Sequence, residues 1–461
     1  MFQYFIRSIY VLSFLFCFSF KTKAQLYQIA EIKIIGNQVT KENIITRELL
    51  FKSGDEFEAG DLDKKIELSK NNLYNTFLFN FVTIEKAYFN NRFVTIIITV
   101  EERWYLWPVP IVEIEETNFN TWWQNKDFGR LNYGFFLAHN NFRGRKEKLY
   151  LLAQTGFTQK FGVKHTVPFI NKKQTQGTSF TLSYATNKTV AYNTANNERL
   201  FIKSTQQDLF KHWYAQFNYQ IRKGYFTRHL FELDFNRLWV ADSIVMFNKD
   251  YITDGLQQAA MLSLSYSYRI DRRDDQNYPL KGWFVDLEIV KDGLGILSSV
   301  DGLYINTWFK RFFKLSDRWF FSTSLKNKYT IKQPPYFLQN GFGFGNSFVR
   351  GYELNVIDGQ DYALLKNQLR WNLLQPKVVH LKALPFNKFN KVPLSFYLGS
   401  FFDVGYIVDD INPNNTYANS TLYGYGLALD FVTYYNMVFR MEYTINNENK
   451  SGIFIHLIAP I

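Results

Sequence analysis

Cysteine is almost missing from this sequence. The 461 residues include one, Cys17, inside an N-terminal stretch that reads as a removable leader. Without that stretch, no disulfide, thiolate metal site or cysteine nucleophile can form. Histidine is scarce too. The six histidines, His139, His165, His212, His229, His380 and His456, show no paired ligand spacing, so no metal site is expected. No Gly-x-Ser-x-Gly elbow or phosphate loop occurs, and Gly341-Phe342-Gly343-Phe344-Gly345 is not followed by a helical pattern. Nucleotide and cofactor chemistry therefore has no visible site, and none is expected. Beyond the leader, no apolar run approaches the ~20 residues that a membrane-crossing helix needs. A membrane-integral form of the chain must then be a closed β-barrel, because lipid leaves no other way to satisfy the backbone.

Aromatic residues, by contrast, are abundant. They make up 19% of the chain, with 47 Phe, 30 Tyr and 10 Trp, yet the mean hydropathy is only -0.23. A membrane barrel reconciles the two, with apolar residues facing lipid, polar ones facing the lumen and aromatics at both interfaces. The net charge of +12 comes from basic residues scattered through turns and strand ends. That spread excludes a nucleic-acid footprint and suits contact with anionic outer-membrane lipids. Residues 1–24 read as a signal peptide: Arg7 gives the positive region, Ile9 to Phe20 the apolar core, and a cut is expected before Gln25. A signal peptide ahead of a barrel implies the outer membrane.

Residues 25–103 read as a small α+β module of order βααββ. Ile29 to Ile35 alternates as a strand and ends at the turn signal Gly36-Asn37. Thr40 is placed to cap a first helix carrying Ile44, Ile45, Leu49 and Leu50, and Asp61 to cap a second through Tyr74. Two strands follow, Phe79 to Tyr88 and Phe93 to Val100.

From Trp104 to Ile461 the pattern changes to serial period-two alternation. Leu262, Leu264, Tyr266, Tyr268 and Ile270 interleave with serines and Arg269, while Phe439, Met441, Tyr443 and Ile445 oppose Arg440, Glu442 and Thr444. Many such segments in series, with ionisable residues on one face, predict a transmembrane antiparallel barrel of roughly sixteen strands. The first is expected near Pro108 to Glu116 and the last near Gly452 to Ala459, with uncertain boundaries at Asn187 to Phe210. Carboxylates such as Asp286, Glu288, Asp430 and Glu442 fall on inward faces, as is usual in barrels, and an enzyme is not expected. Residues 330–361 are too long for a hairpin turn and hold the run Gly341 to Tyr352. Such a loop in a compact architecture is usually functional. Within it Arg350 sits between apolar neighbours and needs a carboxylate or water.

The run Val349-Arg350-Gly351-Tyr352 resembles the signature of the BamA/TamA-type outer-membrane family. Further similarities follow in the family's order. The turn holding Asp271, Arg273 and Asp274, then Pro279 and Gly282, is similar to its Asp-x-Arg-Asp…Pro-x-x-Gly turn. Phe401, Asp403 and Gly405 match its Phe-x-Asp-x-Gly pattern. The module resembles a POTRA domain at Ile34-Ile35-Gly36-Asn37, Leu78-Phe79 and Val100-Glu101-Glu102. The resemblance implies that the loop folds into the lumen. Strand parity in Leu394 to Phe402 sets Asp403 inward, so an Arg350–Asp403 latch is expected. Pro460 cannot donate to a ladder, so the last strand, with Gly452 and Phe454, should close weakly on the first.

The resemblance further implies an outer-membrane assembly or translocation factor that captures client strands and opens its seam sideways. Unfolded outer-membrane or secreted proteins would be its partners, with accessory lipoproteins as further candidates. A dedicated secretion pore and a structural or receptor barrel are the alternatives.

Overall fold

The computed structural model describes residues 26–88, 92–114, 131–204, 206–297, 299–345, 347–380, 390–412, 414–433 and 437–458. The leader and Pro460 lie outside them.

The N-terminal module runs β1 (Leu26–Ile35), α1 (Glu42–Thr46), β2 (Glu56–Glu58), α2 (Ala59–Tyr74), β3 (Phe79–Tyr88) and β4 (Phe93–Glu102). Its sheet has the order β2-β1-β4-β3. The short edge strand β2 was not expected, and three residues are too few to show a period. Ile29, Ile45, Leu62, Leu73, Phe79, Ile96 and Ile98 form the buried core. Neither expected cap forms: the caps are Lys41 and Glu58, without side-chain bonds. The Thr40 hydroxyl instead lies 3.1 Å from the Tyr105 hydroxyl and accepts from Asn141 Nδ2 at 2.9 Å. It is committed to the joint with the second domain.

That domain begins β5 (Leu106–Ile114), β6 (Leu131–Phe142), β7 (Glu147–Gly156), β8 (Thr158–Val167) and β9 (Gln176–Asn187). A hairpin, β10 (Thr189–Ala195) and β11 (Glu198–Lys203), precedes β12 (Phe210–Lys223) and β13 (Thr227–Val240). After helix α3 (Asp242–Phe247) come β14 (Gln258–Asp271), β15 (Gly282–Asp292), β16 (Gly302–Lys314) and β17 (Trp319–Lys332). The last are β18 (Asp361–His380), β19 (Lys391–Val408), β20 (Thr421–Val432), β21 (Val438–Asn446) and β22 (Ser451–Ile458). All but β10 and β11 join one antiparallel sheet of 16 strands, ordered by sequence from β5 to β22. Among the described residues the hairpin pairs only with itself, which is why periodicity leaves Asn187 to Phe210 ambiguous.

Alternation separates the two faces. Phe217, Leu264, Tyr425 and Leu427 are exposed on the outside, while Ser263, Asp403, Asp430 and Glu442 are buried within. The sheet ends at β5 and β22, and among the described residues no ladder joins them. No helix among the described residues is long and apolar enough to cross a membrane.

The module docks on the turns at one end of the barrel. Glu48 accepts both Arg222 Nη atoms at 2.6 Å, and the Tyr225 hydroxyl donates to Leu49 O at 2.6 Å. The Lys41 N–H donates to Gly144 O at 3.0 Å, and Asn75 Nδ2 to Asp274 O at 3.1 Å. Lys281 pairs with Glu67 at 2.6 Å and Lys391 with Glu101 at 2.5 Å. At the opposite end, the β10–β11 hairpin folds across the mouth. Asn197 Nδ2 donates to Thr416 Oγ1 at 2.7 Å, and the Val356 N–H to Asn197 O at 2.9 Å.

Candidate functional site

The segment between β17 and β18 enters the barrel and packs on its inner wall. Phe342, Val349, Tyr352 and Ile357 are buried with Tyr362, Leu364, Ile407 and Leu422. Two wall glycines make the approach possible. A Cβ on Gly424 would lie 1.7 Å from Arg350 O, and one on Gly405 would lie 2.5 Å from Val349 Cγ2 and 2.8 Å from the Phe342 ring. Gly351 has a φ of 97°, a region L side chains rarely adopt. Its carbonyl accepts from Asn446 Nδ2 at 3.1 Å. Tyr352 hydrogen-bonds Asn447.

Arg350 lies at the centre of this contact. Its Nε and Nη2 donate to the two Asp403 oxygens, each at 2.7 Å, a fork that matches the carboxylate plane. Nη1 donates to Glu442 Oε1 at 3.1 Å, and the guanidinium lies 3.7 Å from the Phe401 ring centroid. All three charged groups are buried, so each depends on the others for neutralisation. Asp403 reaches the site because β19 alternates strictly from Ser395 to Ile407.

The charge chain continues towards the module. Arg440 donates to Asp430 at 2.6 and 2.8 Å, and the Tyr278 hydroxyl donates to Asp430 Oδ2 at 2.7 Å. Tyr278 belongs to the β14–β15 turn, which reaches into the lumen. There Arg273 forks onto Asp271 at 2.8 and 2.6 Å, and Asp274 accepts the N–H groups of Asp275, Leu280 and Lys281. Pro279 O accepts from Arg370 Nη1 at 3.2 Å, and Gly282, with a φ of 107°, starts β15. Gly452 and Phe454 lie apart from this chain on β22, with the Phe454 ring turned inward and buried.

Sequence reasoning placed Glu442 and Asp430 on the inner face but missed their partners, and it missed the wall role of Gly424. The signal for Gly424 was the glycine pair at Gly424 and Gly426 on an inward row. The partners of Glu442 depend on register across β19, β20 and β21.

At the module joint, burial alone would raise the Glu48 carboxyl. The hydrogen bonds and charge of Arg222, with Lys146 and Arg47, outweigh it and hold the group at about 2. Glu353, Glu442 and His456 bring ligand atoms within 4.8 Å of one another. Glu442 is spent on Arg350 there, with Arg440 Nε 3.9 Å away, so the surroundings disfavour a dication.

A family model described as POTRA, surface antigen variable number repeat, matches residues 27–103. A second, the Omp85 superfamily domain, matches residues 116–453. No curated protein matches the chain. Among solved structures, the fold is similar to BamA from Haemophilus ducreyi lacking POTRA domains 1–3, with a TM-score of 0.52 at 14% identity over 93% of this chain and 83% of that one. It is also similar to CdiB from Escherichia coli, with a TM-score of 0.53 at 10% identity over 94% and 75%. The family model spans most of the sequence and coincides with the sixteen-stranded sheet. The chain therefore belongs to the Omp85 superfamily, as an outer-membrane barrel carrying one POTRA domain on its periplasmic side.

Proposed function

We propose that this barrel assembles client proteins into the outer membrane, or translocates them, by capturing their strands and opening its seam, without covalent chemistry. The observation that carries the reading is the pair of edge strands, β5 and β22, which among the described residues have no ladder between them in an otherwise continuously paired sheet. An unpaired edge is a template for another strand. In the POTRA domain β3 is likewise paired on one side only, with β4, and serves as the first capture edge. The latched loop braces the wall during opening, with Arg350 and Asp403 as the brace. The seam strand bearing Gly452 and Phe454 is the part that moves, and the client's own burial of apolar surface supplies the free energy. Accessory lipoproteins would bind the exposed POTRA surface.

Depletion in the native host, followed by quantification of the outer-membrane proteome, tests the reading. Broad loss of barrel proteins is expected. Loss of a single secreted protein would replace it with a dedicated pore, and an unchanged proteome would leave only a structural or receptor barrel.

A further inference from the structure

A cavity of about 430 Å³ lies in the periplasmic half of the lumen, between the latch and the β14–β15 turn. Several of its cations are matched: Arg350 by Asp403, Arg440 by Asp430 and Arg273 by Asp271. Lys310 and Lys366 are not. Among the described residues neither forms an ion pair, and each instead lies over an aromatic ring, Trp308 at 3.5 Å and Phe348 at 4.1 Å. Beside them Gln368 and Arg370 are 5% and 8% exposed. Gln368 Nε2 and Arg370 Nε have no hydrogen-bond acceptor, and the nearest carboxylate oxygen to that Nε, on Asp430, is 4.0 Å away. Buried donors of this kind are uncommon and call for an acceptor. Among the described residues the lining thus holds more cations and donors than carboxylates: its carboxylate, Glu442, is already held by Arg350 and His456. Asp403 and Glu353 act on Lys366, and Asp271 on Lys310, only from beyond ion-pair distance.

The lining also includes Ile455, His456 and Leu457, consecutive residues of β22. His456 turns inward, whereas Ile455 and Leu457 are exposed on the lipid side. The cavity therefore rounds the unpaired edge of the sheet and joins a polar, cationic chamber to an apolar outer face. A ligand complementary to both has an anionic oxygen-rich head and a hydrocarbon tail. We propose that the chamber is a binding site for an acidic phospholipid of the periplasmic leaflet. Its phosphate enters through the seam to Lys310, Lys366, Gln368 and Arg370, and its acyl chains stay outside along Ile455 and Leu457. The site depends on the open edge but not on client handling, so either claim can fail without the other.

Native mass spectrometry of the purified, folded full chain tests this, with phosphatidylglycerol or phosphatidylcholine added at equal concentration. Phosphatidylglycerol should be retained preferentially, and Lys310→Gln with Lys366→Gln should lower its retention about tenfold. Heat-modifiable migration reports that the variant barrel is folded. Lys33→Gln with Lys64→Gln, which removes exposed charges on the POTRA surface, should leave retention unchanged. Equal retention of both lipids, an unaffected lumenal variant or an equal loss in the surface variant would overturn the proposal. Displacement of the lipid by soluble glycerol phosphate would assign a free-phosphate site, and selective uptake of an acidic peptide a client site. Either result also overturns it.

Discussion

Arg350 illustrates what a buried ion pair does in a barrel lumen. Its fork onto Asp403 and its third bond to Glu442 bring little net stability relative to an apolar replacement, but removing one partner strands the others. Asp403→Ala should therefore cost the loop its anchorage by about 3–5 kcal/mol, seen as new protease cleavage within residues 333–360 of intact cells. An unchanged cleavage pattern would contradict the latch. Gly424→Ala tests the same contact from the wall. The added methyl meets the Arg350 carbonyl, so the loop must lift although every charge remains. The expected result is the same cleavage pattern with the barrel still folded. Parity along β19 made Asp403 legible as an inward residue, and Arg350 was legible as a cation needing a partner. Glu442 was legible only as a lumenal carboxylate, because alternation gives a side chain's face and not its neighbour two strands away.

At the scale of elements, the POTRA domain is held against the barrel by a buried pair, Glu48 just after α1 and Arg222 at the end of β12. Glu48→Gln should weaken docking by about 3–5 kcal/mol, measured as faster hydrogen exchange in the POTRA domain with the barrel strands unchanged. The pH dependence follows from the depressed carboxyl. Its ordinary value is 4.5 and its docked value about 2, so the pair contributes fully above 4.5 and is lost as pH falls from there towards 2. Protection of the POTRA domain, taken relative to the intrinsic amide exchange rate at each pH, should accordingly be flat from neutral pH down to about 4.5 and then fall. A transition between pH 8 and 6 would assign the docking to another group. Elements with a long period were readable in the sequence. The three-residue β2 and the β10–β11 hairpin were not, the first for lack of length and the second because an extra-barrel hairpin alternates like a barrel strand. The first helix cap was not legible because the tertiary joint claims Thr40.

Across the whole molecule, polar contacts run from Asn75 in the POTRA domain through the β14–β15 turn, Asp430 and Arg440 to Glu442 and Arg350. The loop, the wall and the domain thus rest on one another, and of the two edge strands β22 touches this chain of contacts at His456, which lies 3.1 Å from Glu442. Bracing of the strands next to an edge that has no ladder partner among the described residues would let the edge strand move without unfolding the rest. The fold as a whole was legible from serial alternation. A weak seam was legible from Pro460, which lies outside the described residues, but the extent of the opening depends on closure geometry rather than on any residue pattern.

The most direct test of strand capture at the seam is site-specific photocrosslinking from β22 in living cells, with the reactive side chain at Ile453 or Ile455. Crosslinks to newly made client proteins are expected, confined to their terminal strands and absent when the probe sits at outward Leu264 on β14. Equal crosslinking at β14 and β22, or clients captured only from lumenal positions, would contradict a seam that opens to receive a strand.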